Sequence, residues 1–175
     1  MHTLPYWRLS GYYFFYFAFI GAFSPYFGLY LQSLSFSAWD IGLLMSQMQL
    51  MRLCAPYLWG VLADRLAQRV SVVRLAAVLS LIVFSAFFLV KSFPAMLVAM
   101  ALLAFFWSAA LPLVETVTFD HLRDQPGRYS RIRLWGSVGF IVAVMGTGAL
   151  LDGLPLPSLL WVIAGTLIGI LIYAL

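Results

Sequence analysis

The sequence predicts an all-α integral membrane protein of six transmembrane helices, arranged as two inverted three-helix repeats. Three observations lead there. The first is composition: the 175-residue chain is 64% hydrophobic and only 9% charged, whereas a water-soluble domain carries about a quarter of its residues as Asp, Glu, Lys and Arg. A small domain has too large a share of surface to hide that many apolar side chains. A soluble enzyme is therefore excluded, and so is a disordered or disulfide-stapled chain. The second is patterning: the apolar residues fall in six continuous runs near the roughly 20 residues that span a bilayer, where barrel strands would be alternating segments of about ten. The third is an internal repeat at about half the chain length.

Residues 10–34 form the first run. It is too long for a signal-peptide core and lacks a small-x-small cleavage site followed by soluble sequence, so it reads as a retained helix. Ser33, Ser35 and Ser37 separate it from the second run, residues 41–63, with Asp40 at the expected N-cap. The third run, residues 72–90, is followed by Ser92-Phe93-Pro94, a tight turn ahead of the fourth, residues 95–119. The fifth, residues 132–151, closes on Asp152-Gly153, and Pro155 and Pro157 precede the sixth, residues 158–175.

Orientation follows from the basic residues. Arg8, Arg65, Arg69, Arg74, Arg123, Arg128, Arg131 and Arg133 all fall on one side of the predicted membrane, and only Lys91 on the other. By the positive-inside rule both termini are expected in the cytoplasm, as for a multi-pass protein of the inner (plasma) membrane. Topology also accounts for the net charge of +4 without a nucleic-acid partner. The single cysteine, Cys54, forms no internal disulfide. His2 and His121 have no metal-ligand spacing, and the chain has neither a Gly-rich phosphate loop nor a nucleophile–base pair. No metal, cofactor or enzymatic chemistry is expected.

The repeat is carried by two matches. Gly60-Val-Leu-Ala-Asp64 recurs as Gly148-Ala-Leu-Leu-Asp152, and Ala22-Phe-Ser-Pro25 as Ala109-Ala-Leu-Pro112. Asp64 and Asp152 are 88 residues apart, Pro25 and Pro112 87. The chain then reads as one six-helix bundle with units of residues 1–90 and 91–175. An odd number of helices per unit forces the second copy into the membrane upside down.

A few residues do not belong in lipid. Arg52 lies near the middle of the second run, about eleven residues or roughly 16 Å from either end. A charge there costs about 2.5–3.5 kcal/mol on insertion scales, so it should face the bundle interior or a water-filled cavity. It is either neutralised by a packing partner or a counter-ion for an anionic substrate or a coupled carboxylate. Glu115 is either close enough to the interface to reach water or part of a polar face with Ser108, Pro112 and Thr118. Arg133, with Ser137 and Phe140 at four and seven residues, is either a snorkelling arginine or part of the same interior. Gly136, Gly139, Ala143 and Gly146, and the pair Gly165 and Gly169, read as surfaces for close helix packing. Two arginines against one acid leave an unbalanced positive centre that something anionic should complete, either a carboxylate substrate or an acid from a partner domain.

Gly60-Val-Leu-Ala-Asp64-Arg65, followed by Arg69, resembles the major facilitator signature between the second and third helices, with Ala67 where that signature has a second glycine. Within that superfamily, Tyr6-Trp7-Arg8 through Ala22-Phe23-Ser24-Pro25-Tyr26-Phe27, Pro112-Leu-Val-Glu115 and Arg131-Ile-Arg133-Leu-Trp-Gly136-Ser-Val-Gly139-Phe140 resemble the lactose permease and phenylpropionate permease branch. The resemblance implies a gating latch of Gly60, Asp64, Arg65 and Arg69, in which Asp64 pairs with arginines or a helix end in one access state and releases them in the other. It implies substrate contacts from Glu115 and Arg133, with Phe140 in the ring-stacking position. Phe140 lacks an indole N–H and Arg52 is an added charge, a combination that suits an aromatic acid better than a sugar.

The expected function is therefore the N-terminal half of a secondary transporter. Its substrate is expected to be a small aromatic carboxylate, phenylpropionate-like, and a sugar or nucleoside is the alternative. Proton symport is implied by the resemblance, whose coupling residues lie in a C-terminal six-helix half absent here. The end at Ile172-Tyr-Ala-Leu175, without a basic tail, reads as a truncation. A reading of another class makes the chain a non-transporting assembly subunit with Arg52 as a structural contact.

Overall fold

The computed structural model describes residues 6–66, 68–122 and 127–174. His2, Ala67, Arg123 and Leu175, singled out above, lie outside them. The described residues are helical apart from short connections: α1 (Tyr6–Ser33), α2 (Ala38–Leu66), α3 (Arg69–Ser85, prolonged by a 3-10 turn at Ala86–Phe88), α4 (Phe93–Ser108), α5 (Ala110–His121), α6 (Gly127–Gly153) and α7 (Ser158–Ala174). Four helical stretches are long and apolar enough to cross a membrane: Tyr6–Ser33, Arg69–Phe88, Phe93–His121 and Gly127–Gly153. The α7 helix is apolar but 17 residues long. The 29-residue α2 carries Gln47, Gln49 and Arg52 within its length.

Most helices run past the apolar runs by a turn or so, because their charged first and last turns still gain backbone hydrogen bonds while reaching water. The start of α2 corrects the expectation for Asp40. Ser37 is the N-cap: its Oγ accepts the Asp40 N–H at 3.1 Å, and Asp40 Oδ2 accepts the Ser37 N–H at 3.1 Å. That is a reciprocal capping box with the acid at the third helical position.

The fourth apolar run is interrupted at Ala109, which separates α4 from α5. Pro112 follows three residues on. It has no N–H for the Ser108 carbonyl, and its ring crowds that carbonyl. Close by, the Phe105 carbonyl accepts the Trp59 indole N–H at 3.1 Å, which ties α2 to the break.

The core is built around α1, which packs on α6 and α7, while α4 packs on α2 and α3, and α3 also meets α5 and α7. Aliphatic side chains gain little from leaving lipid for one another, so close van der Waals fit must hold these faces. The α1–α6 contact shows the fit most clearly. A Cβ on Gly139 would collide with the Phe14 backbone carbonyl, and one on Gly21 would meet the Phe140 carbonyl oxygen at 2.6 Å. The Tyr26 hydroxyl then donates to the Val144 carbonyl at 2.8 Å across the same pair. A buried aromatic column fills the rest: Tyr16 stacks on Trp107 at 4.5 Å, and Phe23 on Phe27 at 4.3 Å.

Candidate functional site

Two charged centres lie among the helices. In the first, α5 and α6 bring Glu115 and Arg133 together, with Arg133 Nε 4.0 Å from Glu115 Oε1 and side-chain exposures of 35% and 33%. The Tyr129 hydroxyl, one turn earlier on α6, donates to the same oxygen at 3.5 Å. Arg133 is held independently by α1: its guanidinium carbon lies 4.1 Å from the Phe17 ring centroid and 5.5 Å from that of Tyr13. Such cation–π contacts keep an arginine in place without neutralising it. Beside it an open groove of about 540 Å³ is lined by Phe17, Ile20, Arg133, Ser137, Phe140 and Ile141. Arg133, Ser137 and Phe140 thus share one wall, as their spacing predicts. The face expected on the fourth run is less polar than it reads. Ser108 and Thr118 spend their hydroxyls on the Phe105 and Val114 carbonyls of their own helical stretch.

The second centre is Arg52. Its side chain is exposed on α2, with the guanidinium 5.3 Å from the Trp107 ring centroid. Its Nη1 donates to Gln49 Oε1 at 3.2 Å, one turn back. Among the described residues no carboxylate lies within ion-pair distance of it. The buried Trp107 indole N–H has no hydrogen-bond partner. Tyr16, stacked on that indole, belongs to α1, the helix whose Tyr13 and Phe17 lie against Arg133.

At the arginine-rich end the predicted latch residues assemble in part. Arg69 Nη2 lies 3.4 Å from Asp64 Oδ1, and its Nη1 donates to Asp120 Oδ2 at 2.9 Å. Arg65 is exposed with no acidic partner among the described residues, and Gly60 has open space where a Cβ would stand. The sequence reading missed Asp120 as the second partner of Arg69. It also missed Tyr13, Phe17, Trp107 and Tyr129 as the aromatic setting of the arginines. Tyr13 and Phe17 stand four residues apart on α1, as do Phe15 and Phe19 or Phe23 and Phe27, so their spacing does not single them out. Trp107 is hidden in the run Phe105-Phe106-Trp107.

The described residues thus form a bundle of largely apolar helices in which Arg52 and Arg133 lie against aromatic rings. The sequence matches the MFS_1 like family over residues 6–175, and the chain belongs to that family, part of the major facilitator superfamily. It is 36% identical over 142 residues to a maltose permease of Geobacillus stearothermophilus, covering 81% of this chain and 36% of that protein. It is 27% identical over 144 residues to a probable 3-phenylpropionic acid transporter of Escherichia coli strain K12, covering 82% and 38%. A crystal structure of the nucleoside transporter NupG superposes with a TM-score of 0.88 at 22% identity, over 98% of this chain and 44% of that one, which establishes the shared fold. The chain thus spans under two fifths of the curated relatives' length.

Proposed function

We propose that the chain is the N-terminal half of a proton-coupled symporter of the inner membrane that moves a small aromatic carboxylate by alternating access, both ends of this half lying in the cytoplasm. All six expected runs would cross the bilayer as two inverted units, residues 1–90 and 91–175. The packing pattern supports this. Exchanging the units carries α1 onto α4–α5, α2 onto α6 and α3 onto α7. The α1–α6 contact then maps onto α4–α2, α1–α7 onto α4–α3, and α3–α7 onto itself.

The observation that carries the substrate reading is the inequality of the two arginines. Arg133 faces Glu115, whereas Arg52 sits on Trp107 with no acid within ion-pair distance among the described residues. A positive charge inside a membrane protein without a counter-charge is costly, and an anionic cargo would supply one. Arg52 then takes the carboxylate, Phe140 and Phe17 flank the ring, and Glu115 with Arg133 fixes the far side. Asp64, Arg65 and Arg69, with Gly60 leaving room for approach, act as the latch that opens when the halves rock. A sugar is the second reading, favoured by the maltose permease likeness and by the Glu115–Arg133 pair, whose donors and acceptors suit hydroxyls. In the complete transporter, Arg52→Ala and Arg133→Ala should each abolish uptake of labelled 3-phenylpropionate at normal expression. Unchanged uptake in either variant removes that residue from the site, and maltose uptake that survives Arg52→Ala selects the sugar.

A further inference from the structure

We infer that Glu115 is a proton-accepting group of this half, so that proton and organic anion bind one cluster in mutual support; this rests on the reading that the cargo is an anion. The Glu115 contacts are loose: 4.0 Å to Arg133 Nε and 3.5 Å to the Tyr129 hydroxyl, with a third of its side chain open. Arg133 does not depend on Glu115 for its position, since Phe17 and Tyr13 hold the guanidinium from α1. A proton on Glu115 therefore leaves the arginine in place and frees its charge for another anion.

The other groups facing Glu115 offer no better acceptor. From α1, the Tyr13 and Tyr16 phenols lie within electrostatic reach of it. From α2, Arg52 lies against Trp107, on which Tyr16 stacks, and makes no ion pair with Glu115. The α4 helix brings no charged residue. From α3, Arg69 is engaged by Asp64 and Asp120, and Arg74 lines a separate cleft with Val114, Val117 and His121. On α5 itself, His121 Nδ1 is bonded to the Val117 carbonyl at 2.7 Å. On α6, Arg128 and Arg131 are exposed in its first turns. Asp40, Asp64, Asp120 and Asp152 stand at helix ends, which leaves Glu115 as the interior acid among the described residues.

Charge counting supplies the coupling. Arg52, Arg133 and Glu115 sum to one positive charge when the cluster is empty. An organic anion alone would cancel it, whereas an anion together with a proton on Glu115 restores it. The loaded and empty forms then carry the same charge across the membrane field, and each ligand strengthens the other by the same factor. The proton comes from water on the entry side, adds to a Glu115 carboxylate oxygen, and returns to water on the exit side; no other bond changes.

The test uses the complete transporter in nanodiscs, with 3-phenylpropionate as probe, read by binding against pH and by infrared difference spectra. Wild-type affinity should fall about tenfold per pH unit on the alkaline side of its binding profile. Anion binding should raise a protonated-carboxyl band. Glu115→Gln should bind at the wild-type acid limit at every pH and lack the band. Glu115→Asp, which keeps a carboxyl, should retain both slope and band and so guards against misfolding. A pH slope or carboxyl band that persists in Glu115→Gln overturns the assignment. A wild type that ignores 3-phenylpropionate, yet shows a Glu115-dependent band on acidification, removes the aromatic acid and leaves Glu115 standing. A wild type that binds the acid without such a band does the reverse.

Discussion

Replacing Arg52 by Gln removes a charge and keeps a shorter, hydrogen-bonding side chain. The guanidinium stands over Trp107 and shares one hydrogen bond with Gln49, so little of the fold depends on it. What it offers a carboxylate is a charge-assisted hydrogen bond, worth about 1.5–3 kcal/mol. At about 1.4 kcal/mol per factor of ten, that is roughly a ten- to hundredfold loss of affinity for the acid. Arg133 cannot swing across to make up the loss, because Phe17 and Tyr13 on α1 hold its guanidinium. The assay is a double cycle in the complete transporter: 3-phenylpropionate and its uncharged amide, each bound to wild type and to Arg52→Gln. The acid should lose its advantage in the variant, and the amide should bind both proteins alike within about threefold, or about 0.7 kcal/mol. An equal loss for acid and amide would mean that Arg52 shapes the site through packing, and the charge argument would be refuted.

Gly139→Val should lower the thermal midpoint of the purified protein markedly, since a Cβ there collides with the Phe14 backbone and overpacking typically costs about 1–3 kcal/mol; Gly146→Ala, in open space, should melt with wild type. Ser37→Ala should remove the cap of α2 at a cost near 1 kcal/mol, seen as faster amide exchange confined to residues 38–41. Asp64→Asn removes one of the two acids on Arg69 and should slow turnover more than it weakens binding, because the remaining Asp120 contact would shift the latch without touching the site. Exchange rates equal to wild type would separate Asp64 from gating.

The helices were largely legible in the sequence because lipid imposes a strong rule: apolar runs of spanning length, with arginines at one set of ends. Local chemistry was harder to place. Ser37 and Asp40 are both capping residue types, and the one that accepts the N–H at the helix start depends on where the chain turns, with Ser35 at a φ of 66° just upstream. The fourth run reads as one continuous helix, but it is interrupted at Ala109, three residues before Pro112 and close to the Trp59 indole bond to the Phe105 carbonyl. The charged residues of the candidate site stood out in the sequence because charge is costly in a membrane. Their aromatic partners did not, since Tyr13, Phe17, Trp107 and Tyr129 are unremarkable in a chain with 17% aromatic residues and become specific only when three helices meet. Asp120 escaped for the same reason, 51 residues from Arg69 in sequence and 2.9 Å away in space.

The central claim, that this half belongs to a proton-coupled carrier of an aromatic anion, is tested most directly by uptake into proteoliposomes holding the complete transporter under an imposed proton gradient. Labelled 3-phenylpropionate should accumulate above its external concentration, stop when the gradient is collapsed, and be unaffected by excess maltose or nucleoside. Gradient-driven accumulation of maltose or a nucleoside that excess 3-phenylpropionate does not inhibit would contradict it.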